Sequence, residues 1–301
     1  MNQAHSACPF CQRQSAIFFR ARDYNRRLST ESFNYFRCPA CGLIFLDPIP
    51  ANLGKFYPSD YYAIPASVAE LEAGLSGVRY KMEIIKRFAQ SGRFLEIGPA
   101  CGDLALQAKQ AGFDVDTIEM DPRCCEFLVK HIGVRAVCTM DSVVALRDAA
   151  TTYDVIAMWH VIEHLVDVRE MVAAAAARLN PGGILVMAAP NPESFQFRIL
   201  GKRWAHVDAP RHVRLIPLAL LTEQAKKHGL TPVWSTTDDE GARGWNKFGW
   251  EQSLGNLASG DWVKRKLRGL GRSLTRRAAR WDRREGRGSA YTVVYRREVQ
   301  K

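Results

Sequence analysis

The sequence predicts an α/β protein: a doubly wound, mostly parallel seven-stranded sheet covered by helices on both faces, preceded by a small metal-binding module. Three observations carry that expectation. From residue 93 onward, short apolar runs alternate with helical patterns. Two Cys-x-x-Cys pairs stand within the first 41 residues, outside that alternation. The chain has 301 residues, 47% of them apolar, enough for one sizeable core and an appendage. No apolar run approaches the roughly 18 to 20 residues that span a bilayer.

The module comes first, over residues 1–47. Cys8-Pro9-Phe10-Cys11 and Cys38-Pro39-Ala40-Cys41 are separated by 26 residues. Each pair places two thiolates on one side of a tight turn, and two such knuckles complete a closed tetrahedral Zn2+ site with a structural role. Gly42 suits the turn that follows the second knuckle, and Ile17–Arg20 and Tyr35–Arg37 are candidates for a strand pair between them. Two disulfides are the alternative and need an oxidising compartment. Residues 1–5 show no basic stretch leading into an apolar one, so a cytoplasmic protein is expected, with the inner face of the membrane as a further place of action. Cys101, Cys124, Cys125 and Cys138 lack metal-ligand spacing and read as free core thiols.

Residues 48–78 form an aromatic linker, with regular structure broken at Phe45–Pro50 and Tyr57, Tyr61 and Tyr62 beyond it. A helical pattern runs from Val68 to Gln90, weakened by Gly74 and Gly77. The core follows over 79–237. Strands are expected at Arg93–Ile97, Asp114–Glu119, Arg135–Cys138, Tyr153–Trp159, Ile184–Ala189 and Thr231–Thr237. Helices are expected at Asp103–Ala111, Arg123–His131, Val168–Leu179 and Leu218–His228. Residues 238–290 interrupt the alternation, and Tyr291–Tyr295, in a closing segment 291–301, supplies the seventh strand.

The richest segment is Phe94-Leu95-Glu96-Ile97-Gly98-Pro99-Ala100-Cys101-Gly102-Asp103, where the first strand of the sheet turns into its helix. That turn is the ligand crevice of a doubly wound sheet. Gly98 and Gly102 let backbone approach a ligand, and Glu119, 21 residues after Gly98, can accept both hydroxyls of a ribose. A dinucleotide needs Gly-x-Gly-x-x-Gly, but here those positions are Gly98, Ala100 and Asp103, and a carboxylate at the third repels a pyrophosphate. S-adenosylmethionine carries an ammonium and a sulfonium instead, which Glu96 and Asp103 suit. The charge pattern therefore favours the methyl donor.

Leu95-Glu96-Ile97-Gly98-x-Ala100-x-Gly102 resembles motif I of the class I S-adenosylmethionine-dependent methyltransferases, which have a Rossmann-like fold. The resemblance covers 79–237 and 291–296. It makes Glu119 the ribose acid and Asp141 the adenine-side carboxylate. Tyr153–Ile156 through His160-Val161-Ile162-Glu163-His164 is similar to the family's fourth strand and its exit, which places His160 at the cofactor. Leu179–Val186 is similar to its Pro-Gly-Gly turn into strand five. Ala100 departs from the usual second glycine. His160-x-x-Glu163-His164 also resembles the Glu-x-x-Glu-His of quinone-biosynthesis O-methyltransferases, which bind a divalent ion, with His160 in place of the first glutamate. Knuckles before such a core resemble a bacterial group that includes sugar methyltransferases. That resemblance turns Tyr57, Tyr61 or Tyr62 toward the acceptor, with plain linker packing as the alternative.

Methyl transfer needs an aligned nucleophile relieved of its proton. Glu163 and His164 leave the fourth strand, and His206, Asp208, Arg211 and His212 follow the fifth. His164, His212 and Glu163 are the catalytic candidates, a histidine base with an orienting neighbour, while a helix-capping histidine is the plain alternative. Arg211 and Arg214 are candidates to grip a phosphate or carboxylate of the acceptor.

The net charge of +11 is local. Residues 262–301 hold 14 Lys/Arg against 3 Asp/Glu, whereas residues 1–261 hold 28 of each. Val263, Leu267, Leu270, Leu274, Ala278 and Trp281 recur at helical spacing among the cations, and four of the seven tryptophans fall in 238–290. A basic helix with an apolar stripe fits peripheral contact with an anionic membrane through 262–287, packing on the enzyme's own body, or RNA binding. The neutral body argues against an RNA track. The expected function is methyl transfer, O-directed, to a small-molecule, sugar or lipid-linked acceptor. An RNA methyltransferase and a non-catalytic donor-binding protein are the alternatives.

Overall fold

The computed structural model describes residues 5–299, so residues 1–4 and 300–301, at the ends of the first and last expected segments, lie outside the described residues. Its main sheet joins β5 (Arg93–Ile97), β6 (Asp114–Glu119), β7 (Arg135–Cys138), β8 (Tyr153–Trp159), β9 (Leu179–Pro190), β11 (Leu230–Thr236) and β12 (Ala290–Arg297). The spatial order is β11-β12-β9-β8-β5-β6-β7. Strands β5 to β9 pair in parallel, and β12 runs antiparallel between β9 and β11. Because side chains alternate across a strand, each run of apolar residues feeds two cores. Leu95, Ile97, Ile156, Met158, Leu185 and Met187 pack on α6 (Val168–Arg178) and α8 (Leu218–Lys226). Phe94, Val155, Ala157, Val186 and Val294 pack on the opposite face, against α2 (Arg79–Lys86), α3 (Asp103–Gln110) and α4 (Pro122–Phe127).

The smaller sheet contains β1 (His5–Ala7), β2 (Gln14–Ala21), β3 (Phe33–Arg37), β4 (Ile44–Leu46) and β10 (Arg214–Leu215), in that order. Two expectations need correction here. Residues 44–46, at the start of the expected break, form β4, because all three apolar side chains are buried. The N-terminal module does not close on itself: β10, from the core's sequence, pairs with β4 and completes its sheet. Cys8, Phe36, Cys38, Leu43 and Phe45 even share the core of α6 and α8.

The expected helix 68–90 is divided by a 3-10 turn at Leu75–Gly77 into α1 (Val68–Gly74) and α2, where the two glycines weaken it. The expected helix 123–131 stops at Phe127 and widens into a π turn over Leu128–Ile132 before left-handed Gly133. Helices α5 (Ser142–Asp148) and α7 (Phe195–Leu200) were not foreseen, nor was the first of the two helices in 238–290. Residues 238–290 fold as a helical pair, α9 (Glu240–Gly255) and α10 (Asp261–Asp282). No described helix is long and apolar enough to cross a membrane.

Candidate active site and cysteine cluster

The β5–α3 turn is shaped by two left-handed glycines with different duties. At Gly98 (φ +69°), a Cβ would stand 2.6 Å from Val161 Cγ2. At Gly102 (φ +90°), it would stand 2.5 Å from Ile132 and 2.7 Å from Leu128. The absent side chain at Gly102 therefore lets α3 seat against Leu128 and Ile132. Ala100 also takes positive φ (+50°), and its amide donates to Glu119 Oε2 at 2.9 Å. Glu119 Oε1 accepts from the amides of Met120 and Asp121. Three backbone donors thus fix the end of β6. Burial still raises the Glu119 carboxyl, against those hydrogen bonds. Asp141 caps α5, accepting from Val144 N at 2.9 Å.

A cavity of about 580 Å³ opens over this turn. Gly98, Glu119, Asp141 and His160 line it, together with His164, Tyr57, Tyr61 and Tyr62. Glu96, Ala100, Gly102, Glu163 and His212 do not line it. Glu96 lies buried, with Oε2 lacking a hydrogen-bond partner among the described residues. Burial, opposed by the charge of Lys81, pushes its carboxyl up to about 7. Lys81, which sequence reasoning missed, carries no motif signal; from α2 its charge acts on Glu96 and Asp103 without an ion-pair contact among the described residues.

His164 lines the same cavity from a 3-10 turn after β8. Its Nδ1 lies 2.9 Å from the Tyr57 hydroxyl and 3.1 Å from the carbonyl of Arg211. A carbonyl only accepts, so Nδ1 carries the proton and Nε2 keeps its lone pair. Burial and the charge of His212 hold His164 at about 4, so it is neutral near pH 7. The orienting group is the Arg211 carbonyl, not Glu163: Glu163 Oε1 lies 3.2 Å from Nδ1 of His160 instead. His160 takes positive φ (+57°) and rests on Trp245; burial, then the Lys81 charge, lowers it to about 3.

His212 backs His164 without reaching the cavity. Its Nδ1 donates to the carbonyl of His206 at 2.8 Å, and its ring meets His164 edge to face at 4.6 Å. Ligand atoms of Glu163, His164 and His212 all lie within 4.8 Å of one another, and buried Glu163 Oε2 has no partner among the described residues. This trio, with His212 rather than His160, has the donor set and spacing for a divalent ion.

A family model described as a methyltransferase domain matches residues 76–235, over half of the chain. The chain belongs to that methyltransferase family. Its core has the fold of the S-adenosylmethionine-dependent class I enzymes. A solved S-adenosylmethionine-dependent methyltransferase from Archaeoglobus fulgidus is 16% identical, with a TM-score of 0.50, over 74% of this chain and 93% of that one. A ubiquinone biosynthesis O-methyltransferase from Methylocella silvestris is 32% identical over 40% of this chain and 48% of its own length. Another from Bordetella avium is 28% identical over 50% of this chain and 68% of its own. The methyltransferase chain thus spans about half the length of the first of these curated relatives and two thirds of the second.

Two arginines of the methyltransferase offered as acceptor grips are structural. Arg211 is 1% exposed; its Nη2 donates to Asp23 Oδ1 at 2.9 Å and to Asp208 Oδ1 at 2.6 Å. Arg214 is buried and donates to the carbonyl of Val213 at 2.9 Å. Burial pushes Asp208 up, but hydrogen bonds from Arg211 and the charges of His212 and Arg211 outweigh it and hold the carboxyl at about 2. His206 is equally occupied, its Nε2 donating to Trp245 O at 3.0 Å. Asp23 and Asn25, partners of this loop from the N-terminal sheet, lie too far away in sequence to have been paired with it.

The four N-terminal cysteines form a second cluster. Cys8 and Cys41 sulfurs are 3.6 Å apart, Cys11 and Cys38 sulfurs 3.4 Å, and all four lie within 4.8 Å of one another. Zn–S bonds near 2.3 Å give tetrahedral edges of about 3.8 Å. The two knuckles match in backbone: Gln12 N donates to Cys8 O, and Gly42 N to Cys38 O. Both fifth residues are left-handed, Gln12 at φ +59° and Gly42 at +75°.

Proposed function

We propose that this protein transfers the methyl group of S-adenosylmethionine to a hydroxyl of a small, largely apolar acceptor, with an aromatic quinone precursor as the leading class. One observation carries the reading. One cavity is lined both by Gly98, Glu119 and Asp141 and by His164 with Tyr57. In this reading Glu119 accepts the ribose hydroxyls, the Thr139–Val144 segment borders the adenine, and Glu96 faces the donor's positive end from beneath the loop. Leu53, Tyr61, Tyr62, Leu165 and Val166 give the acceptor an apolar, aromatic surround, which suits a phenol better than a sugar.

The reaction moves a methyl cation equivalent from sulfur to oxygen and frees one proton. His164 Nε2, unprotonated near neutral pH, takes that proton as the acceptor oxygen attacks, while the Tyr57 hydroxyl and the Arg211 carbonyl hold the ring. The Glu163, His164 and His212 trio supports a second possibility at the same place, a divalent ion that would polarise an acceptor oxygen. We further propose Cys8, Cys11, Cys38 and Cys41 as ligands of a structural Zn2+, on the strength of their tetrahedral spacing.

Calorimetry with S-adenosylhomocysteine, followed by labelled-methyl transfer to a catechol, tests the reading. Binding together with label on catechol oxygen supports it. No binding overturns it, and label found on RNA instead transfers the chain to a different acceptor class. Loss of turnover on dialysis against a chelator, restored by a divalent ion, selects the metal-assisted form.

A further inference from the structure

The apolar stripe of α10 is not what joins that helix to α9. Helix α10 meets α9 through small and polar positions: Gly271, Ala278 and Asp282 are its buried residues. A Cβ on Gly271 would lie 2.6 Å from Glu251 Cα. At 3.6 residues per turn, Val263, Leu267, Leu270, Leu274 and Trp281 fall on a line about 70° around the helix from that seam. They are left at the flank, with Val263 45% and Leu270 47% exposed.

The stripe runs about 27 Å along the axis and ends at Trp281, whose ring stacks on Phe195 of α7 at 5.7 Å. The apolar surface continues beyond it to Ile199, 57% exposed, and Phe18, 43% exposed. Two adjoining hollows lie there and share Arg198 and Arg287 in their walls. Lys266, Arg277 and Arg284 border the stripe, and Arg37 and Lys202 border the hollow beside Phe18. Glu193 is the acid among the lining residues. Arg272 and Arg283 are paired with Glu251 and Asp238. Lys266, Arg277, Arg284 and Arg198 have no carboxylate within ion-pair distance among the described residues.

We infer that this face seats the protein on an anionic lipid bilayer, the stripe entering the headgroup boundary and the unpaired cations lying over lipid phosphates. The inference does not depend on which acceptor is methylated. Nucleic acid would use the cations but leave Val263, Leu270 and the half-buried apolar residues between and beyond them without a role. Helix α7 follows β9, and α9 follows β11, so the face grows from the C-terminal edge of the parallel strands, where the Gly98 turn also opens.

Flotation of the full chain with vesicles of phosphatidylcholine alone, or mixed with phosphatidylglycerol, tests it. The chain is expected to float with the mixed vesicles only and to be released by salt. Arg277→Gln with Arg284→Gln should weaken partitioning about 25-fold, at about fivefold per charge. Val263→Ser with Leu270→Ser should weaken it about tenfold at every salt concentration. Both variants should bind S-adenosylhomocysteine as the parent does, which shows that they fold. Flotation with neither vesicle, equal flotation with both, or variants that float like the parent would each overturn the inference. It also fails if the charge variant loses RNA binding while no vesicle is bound. A concentration-dependent dimer that Val263→Ser with Leu270→Ser dissolves would assign the face to a second copy instead.

Discussion

Glu96 sets up a pH dependence of stability that one substitution isolates. It is 3% exposed, one carboxylate oxygen lacks a hydrogen-bond partner, and burial lifts the carboxyl from the ordinary 4.5 to about 7 despite the nearby Lys81 charge. Between those pH values the folded protein keeps a proton that the unfolded chain has released. The favourable contribution is therefore complete below pH 4.5 and is lost as pH rises through 7. A gap of about 2.5 pH units, at roughly 1.4 kcal/mol each, amounts to about 3 kcal/mol. Glu96→Gln keeps the shape and removes the titration. Urea unfolding of both proteins from pH 4.5 to 8 should show the variant gaining about 3 kcal/mol on the parent across that window. His160, His206 and His164, held at about 3, 3 and 4 by burial, tilt both curves the other way and cancel in the difference. Parallel curves would refute the reasoning. So would a variant weaker than the parent at every pH, because that would make Glu96 a carboxylate paired with Lys81.

The other predictions concern the second wall, the buried ion network and the cysteines. His164→Ala should lower methyl transfer a hundredfold to ten-thousandfold while S-adenosylhomocysteine binding persists, and unchanged turnover would remove His164 as the base. Arg211→Met strands Asp23 and Asp208 as buried charges and should cost about 3–5 kcal/mol by denaturant unfolding, partly restored by adding Asp23→Asn. Atomic spectroscopy should find one zinc per chain. Cys38→Ser should lose that zinc and make residues 5–46 sensitive to limited proteolysis, so a metal-free protein of equal resistance would count against the structural site.

The fold was legible where the pattern was local. All seven strands of the main sheet were expected, because each is a short apolar run bounded by a turn, and the Gly98 turn sits between the first strand and its helix as its residues suggested. Strand β4 was missed because three residues between a cysteine knuckle and Asp47-Pro48 show no period, and their pairing with β10 bridges some 170 residues. The same distance hid Asp23 as the partner of Arg211. A guanidinium among histidines reads as a ligand grip until its buried counter-ions are seen. The stripe of α10 was legible as a pattern, but its partner was not. Apolar spacing signals that a helix has an apolar face, but not that the face is used, and here Gly271 and Ala278 allow the close approach to α9.

The smaller sheet belongs to the chemistry of the larger one through a short series of bonds. Strand β10 is held by β4, and the Tyr35 hydroxyl donates to the carbonyl of His212 at 2.9 Å. Val213 N donates to the carbonyl of Glu163 at 2.9 Å, which ties the same loop to the exit of β8. Just before these anchors Arg211 is fixed by Asp23, and its carbonyl is the group that orients His164. The Gly98 turn, by contrast, is set by β5, β6 and Glu119. The two walls of the cavity therefore have separate supports. The wall assigned to the donor stands mainly on the parallel sheet, and the wall assigned to the acceptor is tied through Arg211 and Asp23 to the N-terminal segment.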